Sequence, residues 1–138
     1  MAAADEAAVR KELLHGTFDP SVLEVGEELL HLQEGHSPRL LQRLRRGEFS
    51  VQDEIDLHHL KVAEAEALLL QFLAESRRAG LRCIKIIHGK GLRSGQRGPV
   101  LKALVAQMLR RRAEVIAYAS ARANQGGSGA TLVLLATR

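Results

Sequence analysis

The 138-residue chain predicts an α/β fold: a small mixed sheet of four strands in the order β-α-β-α-β-β, preceded by a mostly helical N-terminal extension. Three observations carry that reading. An apolar stripe at helical spacing from Lys61 to Ala79 leads into the β-branched segment Arg82-Cys83-Ile84-Lys85-Ile86-Ile87. A second striped helix follows Pro99, and two short apolar runs, 115–119 and 130–135, come after it. Strands alternating with helices imply right-handed crossovers and a parallel pair at the centre, whereas two successive strands imply an antiparallel hairpin.

Taken in order, residues 2–14 are Ala-rich, with Val9, Leu13 and Leu14 spaced for one helical face and Gly16 as a stop. A second amphipathic helix is expected from Ser21 to Leu32, broken by Gly35-His36-Ser37-Pro38. A brief helix after Pro38 uses Leu40, Leu41 and Leu44, and ends at Arg45-Arg46-Gly47, where cations suit the negative helix end. Residues 1–52 thus read as an extension that docks or tethers, and 53–138 as the α/β domain, in two or three layers. That domain opens with the short strand Ile55-Asp56-Leu57-His58. In the first helix Val62, Ala65, Leu69, Phe72 and Leu73 share a face, and Gly80 ends it. His88 to Gly98 is a glycine-rich loop, and Pro99 fits the first turn of the next helix, striped by Val100, Leu101, Leu104, Val105, Met108 and Leu109. Asn124 to Gly129 forms the flexible connection between the last two strands.

Composition narrows the function. Apolar residues at 46% and charged residues at 26% describe a soluble globular domain. With no long apolar stretch and acids at Asp5 and Glu6, no signal peptide or membrane helix is expected, so the location predicted is cytoplasmic. Cys83 stands alone inside an apolar strand and reads as a core residue. No heptad pattern is present, so a monomer is expected. Phe18, Phe49, Phe72 and Tyr118 are too few and too scattered to stack bases. Residues 1–50 hold nine acids and six bases; residues 51–138 hold seven and fourteen. Between Arg77 and Arg112 lie eleven Lys or Arg and no acid, which suits a polyanionic partner, RNA or DNA.

Two histidine motifs stand at predicted strand ends, where open α/β sheets collect ligands. Asp56 and His58, two apart on a strand, share a face with α-carbons about 6.6 Å apart, so the carboxylate can fix the imidazole tautomer. His58 is therefore a candidate acid-base group. In His88-Gly89-Lys90-Gly91 the glycines allow close backbone approach, with amide N–H groups open to a phosphate, and Lys90 adds a point charge. The helix starting near Gly98 could add its dipole. Arg93, Arg97, Arg110, Arg111 and Arg112 are the candidate backbone contacts. No Walker phosphate loop occurs. No cofactor is required by these motifs, although a divalent metal held by Asp56, His58 and His88 is a second possibility without a compact ligand spacing.

The run from Glu54 to Leu135, with IDLHH, IIHGKGLRS and GGSGATLVLL in that order, resembles the Smr (small MutS-related) domain, and the upstream LRRGEF is similar to its stand-alone bacterial form. The resemblance implies a βαβαββ fold and nucleic-acid endonuclease activity, DNA nicking or RNA cleavage. It maps the family's motifs onto Asp56-Leu57-His58 and His88 to Gly91, and its late glycines onto Gly126, Gly127 and Gly129. Two departures stand out. His59 replaces the usual Gly, and is strained if that position needs positive φ. Lys61 replaces a capping Thr, so the capping box with Glu64 is expected to be lost. The mechanism expected is phosphodiester cleavage with His58 and His88 sharing the base and acid roles, Asp56 orienting His58, and Lys90 with the glycine backbone stabilising charge. The competing expectation is a non-catalytic RNA-binding or ribosome-associated module using the same basic surface.

Overall fold

The computed structural model describes residues 28–90 and 97–137. The elements are β1 (Leu30–Leu32), α1 (Pro38–Arg45), β2 (Asp53–Asp56), α2 (Val62–Arg78), β3 (Cys83–Ile87), α3 (Arg97–Arg110), β4 (Val115–Ser120) and β5 (Ala130–Leu135). Two short 3₁₀ turns, Ala123–Gln125 and Gly127–Gly129, join β4 to β5. The helix expected over 2–14 lies outside the described residues.

The α/β class and the antiparallel β4–β5 hairpin stand as expected, but the sheet has five strands, in the order β1-β4-β5-β3-β2. The parallel pair β2–β3 lies at one edge, and the hairpin occupies the middle. Burial explains that order. Every residue of β4 and β5 is buried, as strands covered on both faces must be, whereas β2 carries Asp53, Glu54 and Asp56 and suits a solvated edge.

The fifth strand corrects the end of the helix expected over Ser21–Leu32, whose residues 21–27 lie outside the described residues. Leu30 to Leu32 pair antiparallel with Ala119 to Ala117, and the flanking bonds, Ser120 N–H to the Leu29 carbonyl at 2.9 Å and Gln33 N–H to the Ile116 carbonyl at 2.7 Å, extend the ladder. Those pairings satisfy backbone groups on β4 that would otherwise be left open on its outer side.

Helices cover both faces. Under α2 and α3 the core gathers Leu57, Leu69, Leu73, Ile84, Ile86, Leu104, Leu109 and Val133. On the other face α1 inserts Leu44 among Cys83, Ile116, Ala117, Leu132 and Leu134. Pro38 starts α1 and the Ser37 hydroxyl accepts the Arg39 N–H at 3.2 Å, while Arg43 and Arg45 sit in its last turn. This part of the extension therefore supplies one strand and one layer. At the start of α2 half of the capping box survives: the Glu64 carboxylate accepts the Lys61 backbone N–H at 3.1 Å, although a Lys side chain cannot accept the reciprocal bond.

Candidate active site

Topology decides what meets. β2, β3 and β4 run in one direction, so the residues after each of them, and the start of β5, share one end of the sheet. Ile55 and Leu57 point into the core, and strand alternation turns Asp56 and His58 the other way. Leu57 is fully buried, anchoring a turn closed by the Leu60 N–H on the Leu57 carbonyl at 3.1 Å. The His58 Nδ1–H donates to Asp56 Oδ1, and the His58 backbone N–H donates to the same oxygen at 3.0 Å. That pairing fixes the ring and leaves proton exchange to Nε2. Burial alone would raise the Asp56 carboxyl, but the His58 hydrogen bonds and the two neighbouring imidazoles outweigh it and hold the group below its usual value. An ionised Asp56 beside an imidazole that is about half exposed (47%) is the arrangement of an oriented general base.

The next residue, His59, has φ 68°, the left-handed region that turns reserve for Gly or Asn, so the strain anticipated from the sequence is present. Its ring centroid lies 4.4 Å from that of His58, tilted by 57°. His59→Gly is expected to raise stability by about 0.5–1 kcal/mol, read from urea denaturation.

The second motif meets the first through its backbone. A Cβ on Gly89, which has φ +88°, would lie 3.6 Å from His58 Cβ. The Lys90 side chain runs past the late glycines: a Cβ at Gly129 would press its Cγ at 3.2 Å and its backbone N at 3.3 Å, and one at Gly127 would lie 3.8 Å from Nζ. Asp56, His58, Gly89, Lys90, Gly127 and Gly129 are thereby brought together.

His88 is placed differently from the expectation. It is 1% exposed, beneath the site rather than facing it. Its Nδ1–H donates to the Gly89 carbonyl at 3.0 Å, and Nε2 accepts from the hydroxyl of the fully buried Thr131 at 2.8 Å. Burial lowers its pKa to about 4, with the Lys102 charge adding to the effect and the Gly89 bond opposing it. A neutral ring with both nitrogens engaged cannot exchange a proton with a substrate, so His88 supports the loop that carries Lys90. Thr131 was missed from sequence; its signal is a lone hydroxyl in the apolar run ATLVLL. The expectation for Gly89 is also corrected: its N–H and that of His88 both donate to the Gly129 carbonyl, at 2.9 and 3.0 Å, and are not open to a phosphate.

Gly91 and Arg93 lie outside the described residues, as does the Arg97 side chain. Arg110, Arg111 and Arg112 do not join the site. They end α3 and precede β4, at the opposite end of the sheet, with Arg110 bonded to the Tyr118 hydroxyl and Arg112 to Glu114. Arg122, outside the 77–112 run, was passed over from sequence, yet it lies at the site end, where its Nη1 donates to the Arg46 carbonyl at 2.6 Å and ties α1 to the glycine loop. Asp56, His58 and His88 do not form a ligand set, because both His88 nitrogens are engaged, and no cluster of three metal-binding side chains occurs among the described residues. Among them, too, no helix is long and apolar enough to cross a membrane.

A mixed sheet with an Asp-x-His pair at one strand end and a glycine-lysine loop at the next defines the class, and comparison with known proteins agrees. The family model described as Smr domain matches residues 55–136, and the chain belongs to that family. It is 31% identical over 114 residues to the probable DNA endonuclease SmrA of Escherichia coli, covering 83% of this chain and 61% of that protein. It is 33% identical over 106 residues to the ribosome rescue factor SmrB of Pectobacterium carotovorum, covering 77% and 56%. The chain thus spans about three-fifths of these relatives. Among solved structures, YdaL, a stand-alone small MutS-related protein from Escherichia coli, superposes with TM-score 0.73 at 30% identity, covering 88% of this chain and 95% of that one. The Smr domain of Thermus thermophilus MutS2 gives TM-score 0.53 at 37% identity, covering 61% and 98%.

Proposed function

We propose that this chain is an endonuclease that cleaves nucleic-acid phosphodiester bonds without a resident metal. The observation that carries the reading is the exposed Asp56–His58 pair beside Lys90 at one end of the sheet. On RNA, His58 takes the proton of the 2′-hydroxyl, which attacks the adjacent phosphorus, and the bond to the 5′-oxygen breaks. Lys90 stabilises the charge gathering on the phosphoryl oxygens. The second proton-transfer role, expected of His88, falls to the other exposed imidazole among the described residues, His59, which protonates the leaving 5′-oxygen. The products are a 2′,3′-cyclic phosphate and a 5′-hydroxyl. The SmrA and MutS2 relatives, named as endonucleases, support the class.

The test is incubation of the protein with labelled RNA and with supercoiled DNA, each with and without EDTA. Cleavage that persists in EDTA and disappears in His58→Ala is expected. Intact substrate throughout would reject the proposal. Lys90→Gln is expected to weaken binding and reduce the slope of log K against log salt by about 0.7–1, measured by fluorescence anisotropy across a salt series.

A second reading, a non-catalytic ribosome-associated module, has support in the relatives named ribosome rescue factor SmrB. On that reading RNA stays intact and His58→Ala leaves ribosome binding unchanged.

A further inference from the structure

The fold divides the basic run into two groups. Lys90 stays at the site end, and Lys102, midway along α3, is buried. Arg77 and Arg78 end α2, and Arg110, Arg111 and Arg112 lie at and just after the end of α3, so all five sit where the chain returns to the amino ends of β3 and β4. The two helices pack side by side. Their ends are close enough that both Arg112 and Arg77 act electrostatically on Glu114. Carboxylates near these ends include Glu75, hydrogen-bonded to Gln71, and Glu114, which is 9% exposed and paired with Arg112 at 2.8 Å. Exposed Glu34, next to Gln33 whose amide donates to the Ala113 carbonyl, and exposed Asp53, at the amino end of β2, lie at the same end of the sheet. Arg77, Arg78, Arg110 and Arg111 are exposed and form a positive surface at this end of the sheet.

We propose that these arginines form a second phosphate-binding surface, distinct from the cleavage site, that holds a base-paired segment of the nucleic acid cut at His58. The proposal rests on the endonuclease reading for the bond cut, but not for the binding itself. The 14 residues of α3 separate the two regions by about 21 Å at 1.5 Å per residue. A strand gripped at that distance needs a rigid track. Duplex provides one: at about 3.4 Å per base pair B-form DNA bridges the gap in about six base pairs, and A-form RNA, with its shorter rise, takes slightly more. Single-stranded binding relies on aromatic platforms, and Tyr118, the aromatic residue beside these arginines, is fully buried. Arginine at helix ends reads phosphates and leaves the bases unread, so the surface would set where a structured substrate is held, not its sequence.

The experiment compares the full chain carrying Arg77→Ser, Arg78→Ser and Arg111→Ser with the unmutated chain, both in the His58→Ala background so that binding is read without cleavage. Probes are a 16-base-pair RNA hairpin with a single-stranded tail and the tail alone. The expected result is hairpin affinity lower by about tenfold or more at 0.1 M salt and a salt slope shallower by about 2.7, at roughly 0.9 per lost phosphate contact. Tail affinity stays unchanged, as does the rate on the tail with His58 restored. Unchanged hairpin affinity and slope would overturn the proposal, as would an equal loss on both probes. Loss of binding to anionic vesicles with hairpin binding intact would also overturn it, assigning the arginines to a membrane surface. If the chain cleaves nothing but the hairpin-specific loss appears, the endonuclease reading fails and this surface stands.

Discussion

Replacement of His58 by alanine is expected to lower the cleavage rate by about 10² to 10⁴ while leaving stability within about 0.5 kcal/mol. The asymmetry follows from placement. Half of the His58 side chain faces solvent and its bonds go to Asp56, so its removal opens no cavity. Asp56→Asn should lose part of the same factor, since an amide can no longer present a negative oxygen to the Nδ1–H or stabilise the imidazolium. Initial rates on labelled RNA beside urea denaturation of each variant check both statements. A His58→Ala protein that cleaves at the unmutated rate would remove the imidazole from the mechanism.

The opposite asymmetry is expected at His88. Alanine there should cost about 2–4 kcal/mol at pH 7.5, because it empties a buried site and leaves the Thr131 hydroxyl and the Gly89 carbonyl without their partner. The effect is pH-dependent with a defined sign. In the fold the ring is held neutral, its pKa lowered to about 4 from the ordinary 6.5, so the unfolded chain binds the extra proton more readily. The stabilisation is fully present above pH 6.5 and is lost as the pH falls toward 4, by about 3 kcal/mol in all. Urea unfolding at pH 7.5, 5.5 and 4.5 should show the unmutated chain losing stability across that window and His88→Ala losing less. Equal pH slopes in the two proteins would contradict the buried neutral ring.

What the sequence made legible was local. Asp56-x-His58 is read from strand alternation, the helices after Lys61 and Pro99 from their apolar stripes, and the strain at His59 from one residue replacing a glycine. The relations that were not legible depend on distant partners. His88 is withdrawn from substrate by Thr131, 43 residues later, and no motif at 88–91 records that bond. The Leu30–Leu32 strand exists because β4, almost ninety residues on, offers it an open edge; its leucines fit a helix equally well. Strand order carries no periodic signal, so the continuous apolar runs of β4 and β5 were the one clue that the hairpin lay at the centre. The arginines of 110–112 are near Lys90 in charge count and a helix length away in space.

End-group analysis of RNA fragments released by the unmutated chain in EDTA bears most directly on the Asp56–His58 mechanism. Mass spectrometry should find a 2′,3′-cyclic phosphate on one fragment and a 5′-hydroxyl on the other, the signature of an internal nucleophile activated by a side-chain base. Fragments ending in 3′-hydroxyl and 5′-phosphate, or cleavage that stops when EDTA is added, would contradict it.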